Sequence, residues 1–185
     1  MPVADLPRPD VPRSIAIVRD FVNTTDYETG SDELSTAADL SRYLLAEELV
    51  ARPVRATSDD LRVAVALRTA LRSALELNHD GSVASLPDLE SALVDLPVAL
   101  SWVDGAVAVR PAALGARGAL AGVGVAAVQA AADGLWWRLK ICASDECEWA
   151  YYDHSKNRSR NWCEYGCGNK IKTRAYRARR SIVDR

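Results

Sequence analysis

Residues 139–168 read LKICASDECEWAYYDHSKNRSRNWCEYGCG and contain all four cysteines of the 185-residue chain, Cys142, Cys147, Cys163 and Cys167. The cysteines form a C-x4-C pair and a C-x3-C pair, separated by 15 residues. Two close pairs are typical of structural zinc sites, because each pair supplies adjacent corners of a tetrahedron. Four thiolates leave no position for a water ligand, so the spacing predicts structural rather than catalytic Zn²⁺.

The alternatives for these cysteines are two disulfide bonds or free thiols. Residues 1–141 contain no cysteine, whereas a disulfide framework usually spreads over a whole small secreted fold. The N-terminus lacks the apolar segment of a secretory signal, so we expect a cytoplasmic protein. No apolar run approaches the roughly 20 residues that span a bilayer, so we expect no membrane association.

Residues 138–182 are predicted to fold as one small zinc finger that ends in a basic helix. Aromatic residues after the first cysteine pair favour a strand. After the second pair, apolar residues recur at helical spacing, which predicts a helix over about 168–182. This order predicts a treble-clef finger, which consists of a cysteine knuckle, a hairpin and a helix that begins at the second cysteine pair. A segment of ~45 residues cannot build a stable core alone, so zinc supplies folding energy.

Positive charge is concentrated in the same segment. The chain has 23 Lys+Arg and 25 Asp+Glu, of which 12 and 6 lie from Arg138 onward, leaving 11 and 19 in the first 137 residues. This local surplus favours nucleic-acid binding, and the alternative is a solvated or protein-binding helix face. The predicted nucleic-acid contacts are Lys156, Arg158, Arg160, Lys170, Lys172, Arg174, Arg177, Arg179 and Arg180.

Residues 13–134 are predicted to form a helix-rich α+β domain that follows a proline-rich tail at residues 1–12. Residues 14–22 fit either a strand or a short helix. Asp104-Gly105 lies between β-prone runs and predicts a two-residue hairpin turn. Apolar spacing and cap residues predict four helices, over about residues 36–50, 58–78, 87–94 and 112–133.

Three local details of these helices can also be predicted. Ser35 is a suitable N-cap for the first helix. The second has a buried stripe of Leu61, Ala64, Val65, Leu71 and Leu75, and its arginines fall mostly outside that stripe: Arg62, Arg68 and Arg72. The glycines of the fourth lack the order of a phosphate-binding loop, so we expect close helix packing at Gly115, Gly118, Gly122 and Gly124.

Residues 138–180 resemble the CGNR zinc finger, a family named for its Cys-Gly-Asn-Arg motif. Besides four cysteines and two tryptophans, the resemblance rests on Asp153-x-Ser-Lys-Asn-Arg-Ser-Arg160 and on Cys167-Gly-Asn-Lys170. The first half resembles the ABATE domain that usually precedes this finger. That resemblance rests on Asp20-Phe-Val-Asn-Thr24 and on the segment from Leu34 to Leu45.

The resemblance implies a stress-induced transcriptional regulator with a DNA-binding, treble-clef-like finger and a ligand-sensing N-terminal domain. It carries over the four cysteines as zinc ligands and four basic positions: Lys156, Arg158, Arg160 and Lys170. Two features depart from the family. Lys170 replaces the arginine of the motif, which keeps the charge but loses bidentate hydrogen bonding. The third and fourth cysteines are one residue closer than usual, so the start of the final helix is expected to shift.

We therefore expect a DNA-binding regulator without enzymatic activity, whose N-terminal domain senses a small-molecule effector or forms a homodimer. The rival is a small-molecule-binding or enzymatic N-terminal domain with the finger as a structural or protein-interaction clip. Candidate ligand contacts are Asn23, Thr24 and Trp102, for which a side-chain-bonded turn or core packing is the alternative. RNA is a third candidate partner, favoured if Tyr165 or Tyr176 stacks on bases.

Overall fold

The computed structural model of the protein describes the backbone of residues 11–183 and the side chains of residues 11–174 and 177. Most of the predicted tail, residues 1–10, lies outside the described residues. Within the described range the helices are α1 Arg13–Val22, α2 Ala37–Ala46, α3 Ser58–Glu76, α4 Pro87–Val94, α5 Gly115–Ala132 and α6 Cys167–Val183. The strands are β1 Thr25–Asp26, β2 Ser31–Asp32, β3 Val98–Val103, β4 Ala106–Pro111, β5 Leu139–Ile141 and β6 Ala150–Tyr152.

Each strand pairs antiparallel with its neighbour in sequence, which gives three two-stranded sheets among the described residues. Two short 3-10 turns, at Leu77–His79 and Trp136–Arg138, complete the elements. The predicted α+β class, a helix-rich domain followed by a small cysteine-containing unit, is confirmed.

The N-terminal core lies where α1, α3 and α5 pack against one another. The segment that fitted either a strand or a helix is helical, and it buries Ile15, Val18 and Phe21 at a spacing of three residues. From the other two helices, Leu67, Leu71 and Leu120 are completely or almost completely buried. This three-helix core forms the base on which the cysteine unit sits.

Helix α2 differs from its prediction at both ends. Thr36, not Ser35, is the N-cap, and its Oγ1 accepts a hydrogen bond from the backbone N–H of Asp39 at 3.2 Å. The helix ends at Ala46 rather than near residue 50, because Glu48 adopts a left-handed backbone conformation with φ of 55°. A glutamate at such a position gives no sequence signal, since glycine is the usual residue there.

Helix α3 begins where Thr57 forms a capping box with Asp60, close to the predicted start. The prediction that its arginines lie mostly outside the buried stripe was right for Arg62, which is exposed, and wrong for Arg68 and Arg72, each only 6% exposed. Both buried guanidinium groups have partners in distant segments, described below. Hydrogen bonds to distant segments therefore bury these two arginines, although the helical pattern places them outside the buried stripe.

The predicted hairpin is confirmed as β3 and β4. Asp104 and Gly105, with φ of 49° and 84°, form its turn, and both positive values fit a type I′ turn. The register pairs Trp102 with Val107 and Leu100 with Val109. Helices α4 and α5 also lie where the sequence predicts them, and Gly134, with φ of 69°, follows α5.

One glycine of α5 is required by a close backbone contact. A Cβ atom added at Gly118 would lie 2.2 Å from the carbonyl oxygen of Ala113, which cannot move away independently of the chain. At Gly122, one turn further along the helix, the nearest atom to an added Cβ is Pro111 Cγ at 3.9 Å. The expected close packing between helices is found at Gly124, where an added Cβ would lie 3.3 Å from Leu93 Cδ2 of α4, and is absent at Gly115 and Gly122.

We expect Gly118→Ala to destabilise the protein by about 1–3 kcal/mol, the usual cost of overpacking. The matched control Gly122→Ala should stabilise it by about 1 kcal/mol, because alanine has the higher helix propensity. Urea denaturation of the two variants and the wild type measures both effects. Equal free energies of unfolding for the two variants would contradict the close contact.

Candidate metal centre and basic surface

The four cysteine sulfur atoms form one compact buried cluster. All four lie within 4.8 Å of one another, and Cys163 Sγ is 3.7 Å from both Cys147 Sγ and Cys167 Sγ. A tetrahedron with Zn–S bonds of 2.3 Å has edges of about 3.8 Å, so the sulfurs fit zinc. All four are free cysteines, so the disulfide alternative is wrong. The predicted structural zinc site, with Cys142, Cys147, Cys163 and Cys167 as its donors, is therefore present.

Short local elements position each cysteine. Cys142 directly follows β5, and its backbone N–H donates to the carbonyl of Trp149 at 2.8 Å. Cys147 closes a turn through a 2.8 Å hydrogen bond to the carbonyl of Ser144. Cys167 is the first residue of α6. The order of cysteine pair, strand, cysteine pair and helix matches the expected one, and the treble-clef assignment itself stays a prediction.

The thiols compete for protons when no metal neutralises them. Hydrogen bonding with Cys147 and Cys163 lowers the pKa of Cys142, whereas hydrogen bonding to Cys142 raises the pKa of Cys147 and of Cys163. Zinc binding requires all four as thiolates, so it releases protons and weakens as the pH falls.

Two tryptophans pack around the sulfur cluster. Trp149 and Trp162 are the partly buried apolar residues that cover it. A Cβ atom added at Gly168 would lie 3.3 Å from Cε3 of Trp162, which explains a glycine after the fourth cysteine. Tyr165 stands edge-on to Trp149, with ring centroids 6.2 Å apart. The aromatic residues thus form a small core around the four cysteines.

Asn23 joins the N-terminal domain to this unit. Its Nδ2 donates to the carbonyl of Ala150 at 2.9 Å, and its Oδ1 accepts the Ala150 N–H at 2.7 Å. Asn23 therefore pairs with β6 in the way a neighbouring strand would. The side-chain-bonded turn is found one residue later, where Thr24 Oγ1 donates to the carbonyl of Phe21 at 2.8 Å.

The buried arginines of α3 strengthen the same junction. Arg72 donates to the carbonyl of Val22 at 2.9 Å and to the carbonyl of Glu148. Arg68 forms two hydrogen bonds with Asp32, at 2.7 and 2.8 Å, and donates to Thr24 Oγ1. The Arg68 guanidinium holds the pKa of Asp32 below its ordinary value. Arg72 therefore connects α3 to both sides of the junction, whereas the partners of Arg68 lie on the N-terminal side alone.

The three candidate ligand contacts are not placed together by these interactions. The hydrogen bonds of Asn23 and Thr24 are made within the protein, and Trp102 lies on β3 with 74% of its surface exposed. A role of these residues in ligand binding stays a prediction.

A buried ion pair organises the basic loop at residues 154–160. Lys140 and Asp153 are 1% and 0% exposed, and Lys140 Nζ lies 3.2 Å from Asp153 Oδ2. The same ammonium group also donates to the carbonyls of Arg158 and Arg160, at 2.5 and 3.3 Å. Asp153 accepts the backbone N–H of Ser155 and of Arg160, at 2.9 and 3.0 Å. The pair therefore fixes both ends of the loop from inside.

The carboxylate of this pair stays ionised. Burial alone would raise the pKa of Asp153, but hydrogen bonds from Ser155, Arg160 and Lys140 outweigh burial and hold it below its ordinary value. Its contribution to stability is thus present above the pKa of an unfolded aspartate and is lost as the pH falls through the lowered value.

The structure places the predicted basic residues in two groups. In the loop, Lys156 and Arg158 are exposed, and the half-buried Arg160 pairs with Glu164 at 3.1 Å. On α6, exposed ion pairs join Lys170 to Glu28 at 3.3 Å and Arg174 to Glu146 at 2.9 Å, while Lys172 and Arg177 are exposed. The side chains of Tyr176, Arg179 and Arg180 lie outside the described residues.

Comparison with protein families agrees with this two-part structure. Residues 16–136 match the ABATE family, described as "Putative stress-induced transcription regulator", and residues 138–180 match the CGNR zinc finger. The chain therefore belongs to the ABATE family and carries a CGNR zinc finger, as the sequence motifs predict. No curated protein matches the chain. Among the described residues, no helix has the length and apolar character to cross a membrane.

Proposed function

We propose that this protein is a cytoplasmic DNA-binding transcription regulator that contacts DNA phosphates with the basic loop of its zinc finger. The observation that carries the proposal is the loop's construction. The buried Lys140–Asp153 pair holds the loop backbone, while the side chains of Lys156 and Arg158 point to solvent. A fixed backbone with exposed cations is suited to phosphate, because less side-chain and loop entropy is lost on binding.

Helix α6 extends this basic surface. Lys172 lies with Arg160 and Asn161 around a cleft of about 390 Å³ between the loop and the start of α6. Lys170 and Arg174 are held in exposed ion pairs, which are weak in water and easily exchanged for phosphate. We therefore assign the first contacts to the loop and Lys172, and the secondary contacts to the paired residues.

The acidic N-terminal domain restricts where DNA can bind. Its 19 Asp+Glu against 11 Lys+Arg, in the first 137 residues, repel a phosphate backbone. Under this proposal the domain has no catalytic role, and it senses a small-molecule effector or forms a homodimer. The finger then carries the DNA contacts alone.

A salt-dependent titration of the zinc-loaded protein with duplex DNA tests the proposal. Each phosphate contact contributes about −0.9 to the slope of log K against log salt concentration. The double variant Lys156→Ala/Arg158→Ala should therefore bind more weakly to all sequences, with a slope shallower by about 2 if both contact phosphates. Arg110→Ala, which removes an exposed charge from β4, is the matched control and should leave the slope unchanged.

Three outcomes would overturn or redirect the proposal. If zinc-loaded protein does not bind duplex DNA at low salt, the finger is a structural or protein-contact module. An unchanged slope in the double variant would remove the loop from the interface. Tighter binding to single-stranded RNA than to duplex DNA would favour the RNA alternative, with the 43% exposed Tyr165 as a stacking candidate.

A further inference from the structure

One face of the β3–β4 hairpin is entirely apolar and largely exposed. Because directly paired residues share a face, the register places six apolar side chains together: Val98, Leu100, Trp102, Val107, Val109 and Pro111. We call this set the apolar hairpin face. Leu100 and Trp102 are each 74% exposed, and Val107 is 64% exposed. Contiguous exposed apolar side chains of this kind are typical of interaction surfaces.

An apolar cavity continues this face at the base of the hairpin. It has a volume of about 370 Å³ and lies between α4, α5 and the hairpin, with Leu93, Val98, Val109, Val128 and Trp136 among its lining residues. No lining residue carries a charge or a polar side chain apart from the indole of Trp136. Small-molecule sites normally add a few placed polar groups that fix a ligand's orientation, and this cavity has no such set.

The hairpin packs against α5 through β4 and leaves its other strand at an edge. Among the described residues β3 pairs only with β4, so its outer edge is unpaired. A two-stranded hairpin is stabilised by packing against a helix, as β4 does on α5, and further strands or a covered apolar face add to its stability. An open edge beside an exposed apolar face is also a surface that soluble proteins usually cover or protect with charge.

A second copy of the chain fits these requirements. The surface holds both an exposed apolar side chain, Trp102, and an apolar cavity large enough for an aromatic ring. A two-fold axis would place Trp102 of each copy against the cavity of the other copy. Two β3 edges related by such an axis run antiparallel. A stable interface takes about 800 Å² from each partner, which the hairpin face can supply together with the exposed Leu93, Val94 and Val128.

We infer that the protein forms a two-fold symmetric homodimer through the apolar hairpin face and the adjoining cavity. This inference goes beyond the proposed DNA contacts and does not depend on them. A dimer carries two zinc fingers, so it reads two half-sites in opposite orientation and gains affinity from their linkage.

Sedimentation velocity of the full zinc-loaded chain across a concentration series tests the inference. The wild type should sediment as a dimer, and Val107→Asp and Trp102→Glu should shift it to a monomer. The matched control is Val83→Asp, the same substitution at a 91% exposed valine in the loop before α4, which should remain dimeric. Circular dichroism and zinc content establish that each variant is folded.

A monomeric wild type, or a dimer unaffected by both face variants, would overturn the inference. Binding of the uncharged dye N-phenyl-1-naphthylamine to a monomeric wild type would assign the cavity to an apolar small molecule instead. DNA binding separates the two proposals. If the wild type is a monomer that binds duplex DNA, the dimer inference is refuted and the proposed function stands. If it is a dimer that does not bind duplex DNA, the proposed function is refuted and the dimer inference stands. If both hold, Val107→Asp should weaken binding to paired half-sites by at least about 100-fold.

Discussion

Cys163→Ser is expected to abolish zinc binding and to unfold the finger. Cys163 is central to the cluster, since its sulfur lies 3.7 Å from two other sulfurs and its backbone N–H donates to Cys142 Sγ at 3.5 Å. Structural zinc contributes an apparent ~10–16 kcal/mol to the folding of small zinc-finger peptides. The two tryptophans that cover the cluster cannot supply this energy by burial alone.

Zinc content per chain and tryptophan fluorescence measure this effect. The wild type should hold one zinc ion, the serine variant close to none, and treatment of the wild type with a chelator should reproduce the variant's spectrum. Glu164→Gln, a change at the neighbouring exposed position, is the control and should retain the metal. Wild-type zinc affinity in Cys163→Ser would refute the assignment of the four ligands.

The loss should extend beyond the finger. Without a folded β6, the amide of Asn23 and the guanidinium of Arg72 lose the backbone partners that they now have at Ala150 and Glu148. Buried polar groups left without partners cost about 1–3 kcal/mol each. We therefore expect the thermal unfolding of the N-terminal domain to shift to lower temperature in the same variant.

Lys140→Met is expected to destabilise the protein by about 3–5 kcal/mol, the usual cost of removing one partner from a buried ion pair. The substitution leaves Asp153 charged and fully buried, and it removes the donor to the carbonyls of Arg158 and Arg160. The loop then loses its anchor from inside. DNA affinity should fall as well, although Lys140 is too deeply buried to reach a phosphate.

Urea denaturation of single and double variants tests the pair. Lys140→Met combined with Asp153→Asn should cost less than the sum of the two single changes, because the pair is removed as a unit. Lys156→Met is the control, since it makes the same replacement at an exposed position in the loop. A Lys140→Met variant within about 0.5 kcal/mol of the wild type, the range of ordinary surface changes, would contradict the role given to the pair.

Local chemistry explains what could be predicted from the sequence. The start of α3 after Thr57, the turn at Asp104-Gly105 and the two cysteine pairs each depend on residues that are close together in the chain. Those elements were found where we expected them. The end of α2 was not, because Glu48 adopts a conformation that its residue type rarely signals.

The buried polar side chains with distant partners were not predictable in the same way. Arg68 bonds to a residue 36 positions away, and Arg72 to a carbonyl 76 positions away, so helical periodicity alone assigns both to the surface. Lys140 could have been noticed, because it stands between two apolar residues of a short strand that is buried throughout. Its aspartate partner, Asp153, opens the Asp-x-Ser motif, whose many cations indicate an exposed loop rather than a buried ion pair.

The pairing of Asn23 with Ala150 limits how this protein can be taken apart or recombined. A chimera that joins its finger to an unrelated N-terminal domain would leave the N–H and carbonyl of Ala150 facing a surface with no amide to match them. A functional exchange would have to transplant Asn23 and Arg72 along with the finger. The N-terminal domain and the finger are thus expected to be exchanged only together. The isolated finger lacks these hydrogen bonds, so its stability should differ from that of the finger in the full chain.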